Sequence, residues 1–273
     1  MVQGHNLITT VNYYKDPGDG SPPTPVYVGS SQVTNERPMV STVVTVTDVT
    51  GAEDSFTLDR HGFQFGNHES NAAGFHNEDT LRAEYYPECE QLLKSVTGAT
   101  RVVAFDHKVR RGPSYWHKIG ADNAKSRGPL HNAHVDQSYD GALIRLRQQF
   151  SDEAEDLRKR PWQIINIWRP IKTVYKDPLA VADATSVSDT DLVAASIVYA
   201  RSGRRMESWA VKPNPAHRWY FKYAQRPDEV ILIKCFDSDE AAVRRVPHCA
   251  VEDPDQKDSE CRESVEVRCL VLY

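Results

Sequence analysis

His134-Val135-Asp136 is the one His-x-Asp triplet among ten histidines. In an extended strand residues i and i+2 share a face, so the triplet presents an imidazole and a carboxylate to one point. A metal held there needs a third ligand from elsewhere in the chain. His248, in VPHCAVEDP, lies 112 residues beyond Asp136 and after most of the strand-like segments. That spacing suits a barrel whose late strand returns beside an early one. Two histidines and one carboxylate on one face of a metal leave open positions, the arrangement of non-haem Fe(II) oxygenases. Fourteen residues past His248 come Arg262 and Ser264, which strand alternation puts on one face. A guanidinium takes a carboxylate through two parallel hydrogen bonds and a hydroxyl adds a third donor, a grip that suits the distal carboxylate of 2-oxoglutarate.

The same residues admit other readings. His134 and Asp136 read alternatively as a surface pair, His248 as a loop histidine and Arg262 as a solvent-facing charge. Arg268 has the same parity as Arg262 and competes with it for a bound anion. His76-Asn77-Glu78 is a His-x-Glu ahead of a helical stretch, where Glu78 suits the helix N-terminus. His217, in HRWYF, reads as a packed core histidine. Two histidines and a carboxylate also serve a zinc-dependent hydrolase or isomerase, and a jelly-roll binding protein without catalysis is a third class. A nucleophile elbow, a phosphate loop and a dinucleotide fingerprint are all missing from the sequence.

The elements that position these residues read as one domain. Residues 1–40, rich in Pro, Gly, Ser and Thr, are expected to form an irregular arm, and 41–273 a single β domain with supporting helices. VSTVVTVTDV (40–49) and RVVAFDHKVR (101–110) have strand character. Residues 77–96 read as helical, with Pro87 expected to bend or interrupt the helix. A second helix is predicted over 141–150 with Asp140 as its cap. From Trp162 onward come short apolar runs, WQIINIW, SIVYA, WYFKYA, EVILIKCF and SVEVRCLVLY, the pattern of a sandwich or barrel. In the last of these, Val265, Val267, Cys269 and Val271 are more apolar than the Arg262 face, as in a barrel with a polar interior or in an ordinary half-exposed strand.

Composition narrows the classes further. The 273 residues are 40% hydrophobic and 26% charged, as in a globular chain. No apolar run approaches the ~20 residues of a membrane helix. The start lacks the layout of a secretory signal, and a net charge of -5 argues against nucleic acid as a partner. Five widely spaced cysteines without Cys-x-x-Cys read as reduced, packed thiols of a cytoplasmic protein. The sequence carries no signal of oligomeric state.

HVDQS (134–138), INIWRPI (165–171), DPLAVADATSV (177–187), HRWYFKYAQRPDEVILIKCFDSD (217–239), PHCAVEDP (247–254) and RESVEVR (262–268) together resemble a known family. It is the fungal and bacterial hydroxylase/desaturase group that includes the gibberellin desaturase, AsaB-type enzymes and CmcJ. The similarity covers the last half of the chain, with weaker traces in RAEYYPE (82–88) and FDHKVRRG (105–112); residues 10–35 have no counterpart in it. The resemblance implies a double-stranded β-helix, or jelly roll, that uses Fe(II), 2-oxoglutarate and O2 in secondary metabolism. It makes His134, Asp136 and His248 the iron ligands and Arg262 with Ser264 the cosubstrate clamp. Asn166, Trp168 and Arg169 of the IWRP segment are implied to lie at the substrate pocket. The partner is a small molecule, and the outcomes it admits are hydroxylation, desaturation or oxidative ring closure, including aziridine formation on a small amino acid.

Overall fold

The structure, a computed structural model, describes residues 4–72 and 75–273. Its strands in chain order are β1 (Leu7–Tyr14), β2 (Val26–Val28), β3 (Val33–Thr34), β4 (Met39–Asp48), β5 (Phe63–Asn67) and β6 (Arg101–Arg110). The two-residue β7 (His134–Val135), β8 (Trp162–Pro170), β9 (Leu179–Ala182), β10 (Leu192–Tyr199) and β11 (Arg205–Val211) follow. The last are β12 (Trp219–Phe221), β13 (Glu229–Asp237), β14 (His248–Ala250) and β15 (Ser264–Leu272). They form two sheets, ordered β1-β4-β12-β9-β14-β7-β11-β10-β2-β3 and β5-β13-β8-β15-β6. This is the sandwich or barrel class that the strand spacing predicts, in the jelly-roll form that the family resemblance implies.

The smaller sheet separates two cores, and side-chain parity decides which residue serves which. On β8, Ile164 and Trp168 face inward toward Phe63, Val181 and Ile233. Ile165 and Ile167 face outward, with Val265, Val267 and Cys269 of β15, onto a helical layer that supplies Tyr85, Cys89 and Leu93. A buried leucine or phenylalanine stabilises by about 1.5–3 kcal/mol, so both faces of this sheet are firmly held. The inward face of β15 keeps Arg262 on its approach, then Ser264, Glu266 and Arg268, each at most partly exposed.

The helical layer is one run with a local defect. α1 (Glu78–Thr80) is capped by Asn77, whose side chain accepts from the Asp79 and Thr80 amides; a π-helical turn over Leu81–Tyr85 then leads into α2 (Tyr86–Thr97). Pro87 sits in the first turn of α2. Because its nitrogen cannot donate to the preceding turn, the widened π turn absorbs the missing bond instead of ending the helix. Glu78 pairs with Arg82, so His76-Asn77-Glu78 is a helix start and no metal dyad.

Two local expectations are corrected. The segment 1–40, read as irregular, contains β1, which pairs with β4 along its whole length from Leu7↔Val46 to Tyr14↔Met39, and β2, which extends the larger sheet beside β10. The Pro and Gly residues mark only the turn between these strands; residues 1–3 lie outside the described chain. The second helix, α3 (Tyr139–Gln149), is capped by Ser138, whose hydroxyl accepts from the Gly141 amide at 2.9 Å, while Asp140 merely places charge in the first turn. Gly141 is required there, because a Cβ would lie 2.0 Å from the Glu207 carbonyl oxygen of β11. This close docking fixes the turn that carries Asp136.

Candidate metal centre

β14 pairs with β7 in antiparallel register, and the pairing sets His248 directly opposite His134. Their ring centroids are 4.5 Å apart. Asp136 follows β7 on the same side, with Oδ1 3.6 Å from His134 Nε2. Ligand atoms of His134, Asp136 and His248 all lie within 4.8 Å of one another. The structure thus brings together all three residues that the spacing singles out.

Each imidazole is oriented by its other nitrogen. His134 Nδ1 lies 2.8 Å from the Asn132 carbonyl and His248 Nδ1 lies 3.1 Å from the Val246 carbonyl. A carbonyl only accepts, so Nδ1 carries the proton in both rings and Nε2 keeps its lone pair. His248 Nε2 is buried with no hydrogen-bond partner among the described residues. Leaving a buried polar atom unpaired costs about 1–3 kcal/mol, and a divalent cation in the cluster removes that cost. Burial, with His134 second, pushes His248 down to about 4, which leaves a neutral ring ready to bind a metal.

Asp136 is held from the smaller sheet. Asn166 Nδ2 donates to its Oδ2 at 2.6 Å, Arg268 Nε lies 2.9 Å from Oδ2 and Arg268 Nη2 donates to Oδ1 at 3.0 Å. Burial works against the charge, but Arg268 foremost, with His134 and His248, holds this carboxyl well below the usual range. An ionised carboxylate offers about four lone-pair sites, so Oδ1 keeps room for a metal. Arg268 also reaches Glu266 and Asp106. It is committed to carboxylates of the chain, which removes it as a rival to Arg262 for a bound anion.

Arg262 is buried. Its Nη1 donates to the Asp177 carbonyl at 2.8 Å, its guanidinium lies 5.4 Å from the Trp168 ring centre, and its Nε has no partner. Burial, and then Arg110, lowers it to about 9. Ser264 is buried beside it on β15, across from Pro170 and Arg110. Asn166 and Trp168 share the inward face of β8 with these groups.

Arg169 does not. Its parity turns it to the outer face, where Nε donates to the Tyr85 hydroxyl at 2.8 Å and Nη1 to the His68 and Pro227 carbonyls. The expectation that it lies at the pocket is therefore corrected: it fastens the helical layer to the sheet. His217 bonds Asp191 and Tyr13 within 3.1 Å and packs in the core, as its aromatic surroundings imply.

The centre opens into a cavity whose walls the sequence reading left out. The hairpin of β2 and β3 contributes Val26, Val28 and Val33, and Lys108, Arg110, Arg127 and Arg145 supply charge. The strand signal was present in the alternation Asp106, Lys108, Arg110 on β6; nothing local points Arg127 or Arg145 inward. Two histidines and a carboxylate on one face, an open side toward a cavity and a buried arginine nearby fit a metal-assisted reaction that also binds an acid.

Comparison with known proteins agrees. A family model described as oxidoreductase/YMDC permease-like domain matches residues 11–272. Among the described residues, no helix is long and apolar enough to cross a membrane. The chain is 34% identical to the hydroxylase/desaturase efuI of Hormonema carpetanum, over 100% of this chain and 97% of that one. It is 32% identical to the alpha-ketoglutarate-dependent dioxygenase tstK of Talaromyces stipitatus, over 96% of each. A solved structure of the iron and alpha-ketoglutarate-dependent endoperoxidase NvfI superposes with a TM-score of 0.84 at 24% identity, covering 98% of both chains, and shares the fold. The matches run through the N-terminal segment that has no counterpart in the sequence reading. The chain belongs to the hydroxylase/desaturase family of Fe(II)/2-oxoglutarate-dependent oxygenases.

Proposed function

We propose that this protein is an Fe(II)/2-oxoglutarate-dependent dioxygenase that oxidises an unactivated C–H bond of a small molecule in secondary metabolism. We assign His134, Asp136 and His248 as the iron ligands and Arg262 with Ser264 as the clamp on the distal carboxylate of 2-oxoglutarate. The observation that carries this reading is the buried, unpaired Nε2 of His248 facing His134 and Asp136.

When bound, Fe(II) with 2-oxoglutarate and O2 supplies the oxidising power for C–H cleavage, and succinate and CO2 are the coproducts. The chain supplies the rest. Asn132 and Val246 carbonyls fix the tautomer and tilt of the two imidazoles. Asn166 and Arg268 fix the carboxylate. Arg262 offers its free Nε to the cosubstrate's far end, and Trp168 backs the guanidinium. Val26, Val28 and Val33 give the cavity an apolar surface for a substrate body beside its charged groups. Whether hydroxylation, desaturation or ring closure results depends on which C–H bond the cavity presents, to within about 0.5 Å.

A cytoplasmic setting is part of the proposal. Cys89, Cys235, Cys249 and Cys269 are buried free thiols, and Cys261 is an exposed one, a pattern suited to a reducing compartment.

The test is anaerobic titration of the purified protein with Fe(II) and then 2-oxoglutarate. The proposal expects a weak visible charge-transfer band that needs both components and is missing in His134→Ala. A band that persists in His134→Ala, or no Fe(II) binding by the wild type, overturns it.

A further inference from the structure

Six cationic side chains line the cavity beside the metal cluster: Arg37, Lys108, Arg110, Arg127, Arg145 and Arg268. Among the described residues Asp136 is the only carboxylate in that lining; Asp106 and Glu266 stand behind it, paired with Lys108 and Arg268. These three carboxylates offset three of the six cations. Fe(II) and the 2-oxoglutarate dianion add no net charge when bound together. Three positive charges therefore stay uncompensated around a site meant for a small molecule. Holding cations in a low-dielectric cavity costs free energy unless an anion arrives.

The surplus has a location. Arg37 donates to the Thr24 and Ser196 carbonyls, and Arg110 to the Gly128 carbonyl. Arg145 is different: it is 9% exposed, its Nε has no partner among the described residues, and its guanidinium carbon lies 4.6 Å from the Phe105 ring centre. Arg127, half-buried, likewise has no side-chain acceptor among the described residues. Both line this one cavity together with Tyr199 and Arg268. Tyr199, whose hydroxyl can donate, belongs to the same lining. The lining also includes an apolar wall of Val26, Val28, Met39, Ile197 and Met206, which borders Tyr199 through its register partner Val28.

Building on the oxygenase reading, we propose that the substrate is a carboxylic acid with an apolar body. Arg127 and Arg145 hold its carboxylate with the Tyr199 hydroxyl, and the aliphatic or aromatic body lies along the wall made by β2, β10 and β11. A planar guanidinium matches a carboxylate through paired hydrogen bonds, and two of them give the site its selectivity over neutral amides and esters. Arg127 and Arg145 are thus specificity-determining residues, separate from Arg262, which serves the cosubstrate.

The experiment uses full-length protein saturated with 2-oxoglutarate and Zn(II), a closed-shell stand-in for Fe(II). Saturation of the Arg262 site confines added acids to the second one. Affinities of 3-methylbutanoate, cyclohexanecarboxylate and benzoate are compared with those of their amides by ligand-observed NMR. The proposal expects the acids to bind at least ten-fold more tightly than the amides. Arg127→Gln and Arg145→Gln should each cut acid affinity ten-fold or more, while 2-oxoglutarate affinity stays within two-fold of wild type. Arg127→Gln, at a half-exposed position, keeps the test valid where Arg145→Gln impairs folding. Amides that bind as well as acids, or acids that bind both variants as they bind wild type, overturn the assignment. Failure of 2-oxoglutarate to bind wild type overturns the oxygenase reading instead, and the acid–amide comparison on the metal-free variants still decides the role of the arginine pair.

Discussion

Asn166 and Arg268 face each other across the β8–β15 ladder and close on the same carboxylate, Asp136. Asp136 belongs to the larger sheet's side of the barrel and its two holders to the smaller sheet. The proposed metal ligand is therefore also a tie between the sheets, and its orientation is set by backbone register.

From this tie we expect Arg268→Met to weaken Fe(II) or Mn(II) binding by about 10–100-fold, the usual effect of losing a group that orients a ligand. The substitution strands Asp106, Asp136 and Glu266 without their common cation, so it should also cost about 3–5 kcal/mol of stability. Metal titration and urea unfolding read the two effects. Glu266→Gln in the same chain should recover part of the stability and little of the metal affinity.

His248→Ala should abolish tight metal binding at a modest stability cost. The imidazole makes one hydrogen bond, to the Val246 carbonyl, and its other nitrogen is unpaired. The loss is then about 1–2 kcal/mol from the bond and the small cavity. Equilibrium dialysis with Mn(II) and thermal unfolding separate the two. A variant that unfolds outright yet keeps metal in its folded fraction would contradict the ligand assignment.

Arg262 and Arg169 are both buried arginines and should behave oppositely. Arg262→Ala should raise the KM for 2-oxoglutarate at least ten-fold with metal affinity unchanged. Arg169→Ala should leave that KM within two-fold and cost about 3 kcal/mol, because Tyr85, His68 and Pro227 lose a shared donor. Succinate release against cosubstrate concentration, with a urea midpoint for each variant, distinguishes them.

The metal-free protein should lose stability as pH falls from about 6.5 to about 4. Burial foremost lowers both His117 and His248 to about 4, against an ordinary value of 6.5. Between those limits the unfolded chain binds more protons than the folded one, so unfolding becomes easier as the solution is acidified. The stability from the neutral rings is fully present above pH 6.5 and declines toward the folded value. His117→Asn should make the slope of unfolding free energy against pH shallower by up to about one proton, measured by urea unfolding across that range.

Much of this was legible in the residues. The triplet at His134 and the late His248 mark the proposed centre, and strand alternation puts Arg262, Ser264 and Arg268 on one inward face. What could not be read locally depends on partners far along the chain. Arg268 and Arg262 have equal parity, and only the position of Asp136 shows that the first is already engaged. Arg169 follows Trp168 by one residue in a continuous apolar strand, and which face is inward depends on where α2 docks. The strand β1 hides behind turn-forming residues because its evidence is pairing with β4. Arg127 sits in a loop and Arg145 on α3, and their convergence is a tertiary fact.

The β2–β3 hairpin walls the substrate side of the cavity while it carries none of the proposed metal or cosubstrate ligands. Chemistry and selectivity are thus written on different stretches of chain. Substitutions in the hairpin can retune what is admitted without touching the oxidising machinery, which makes residues 26–34 the natural place to redirect this enzyme toward new acids.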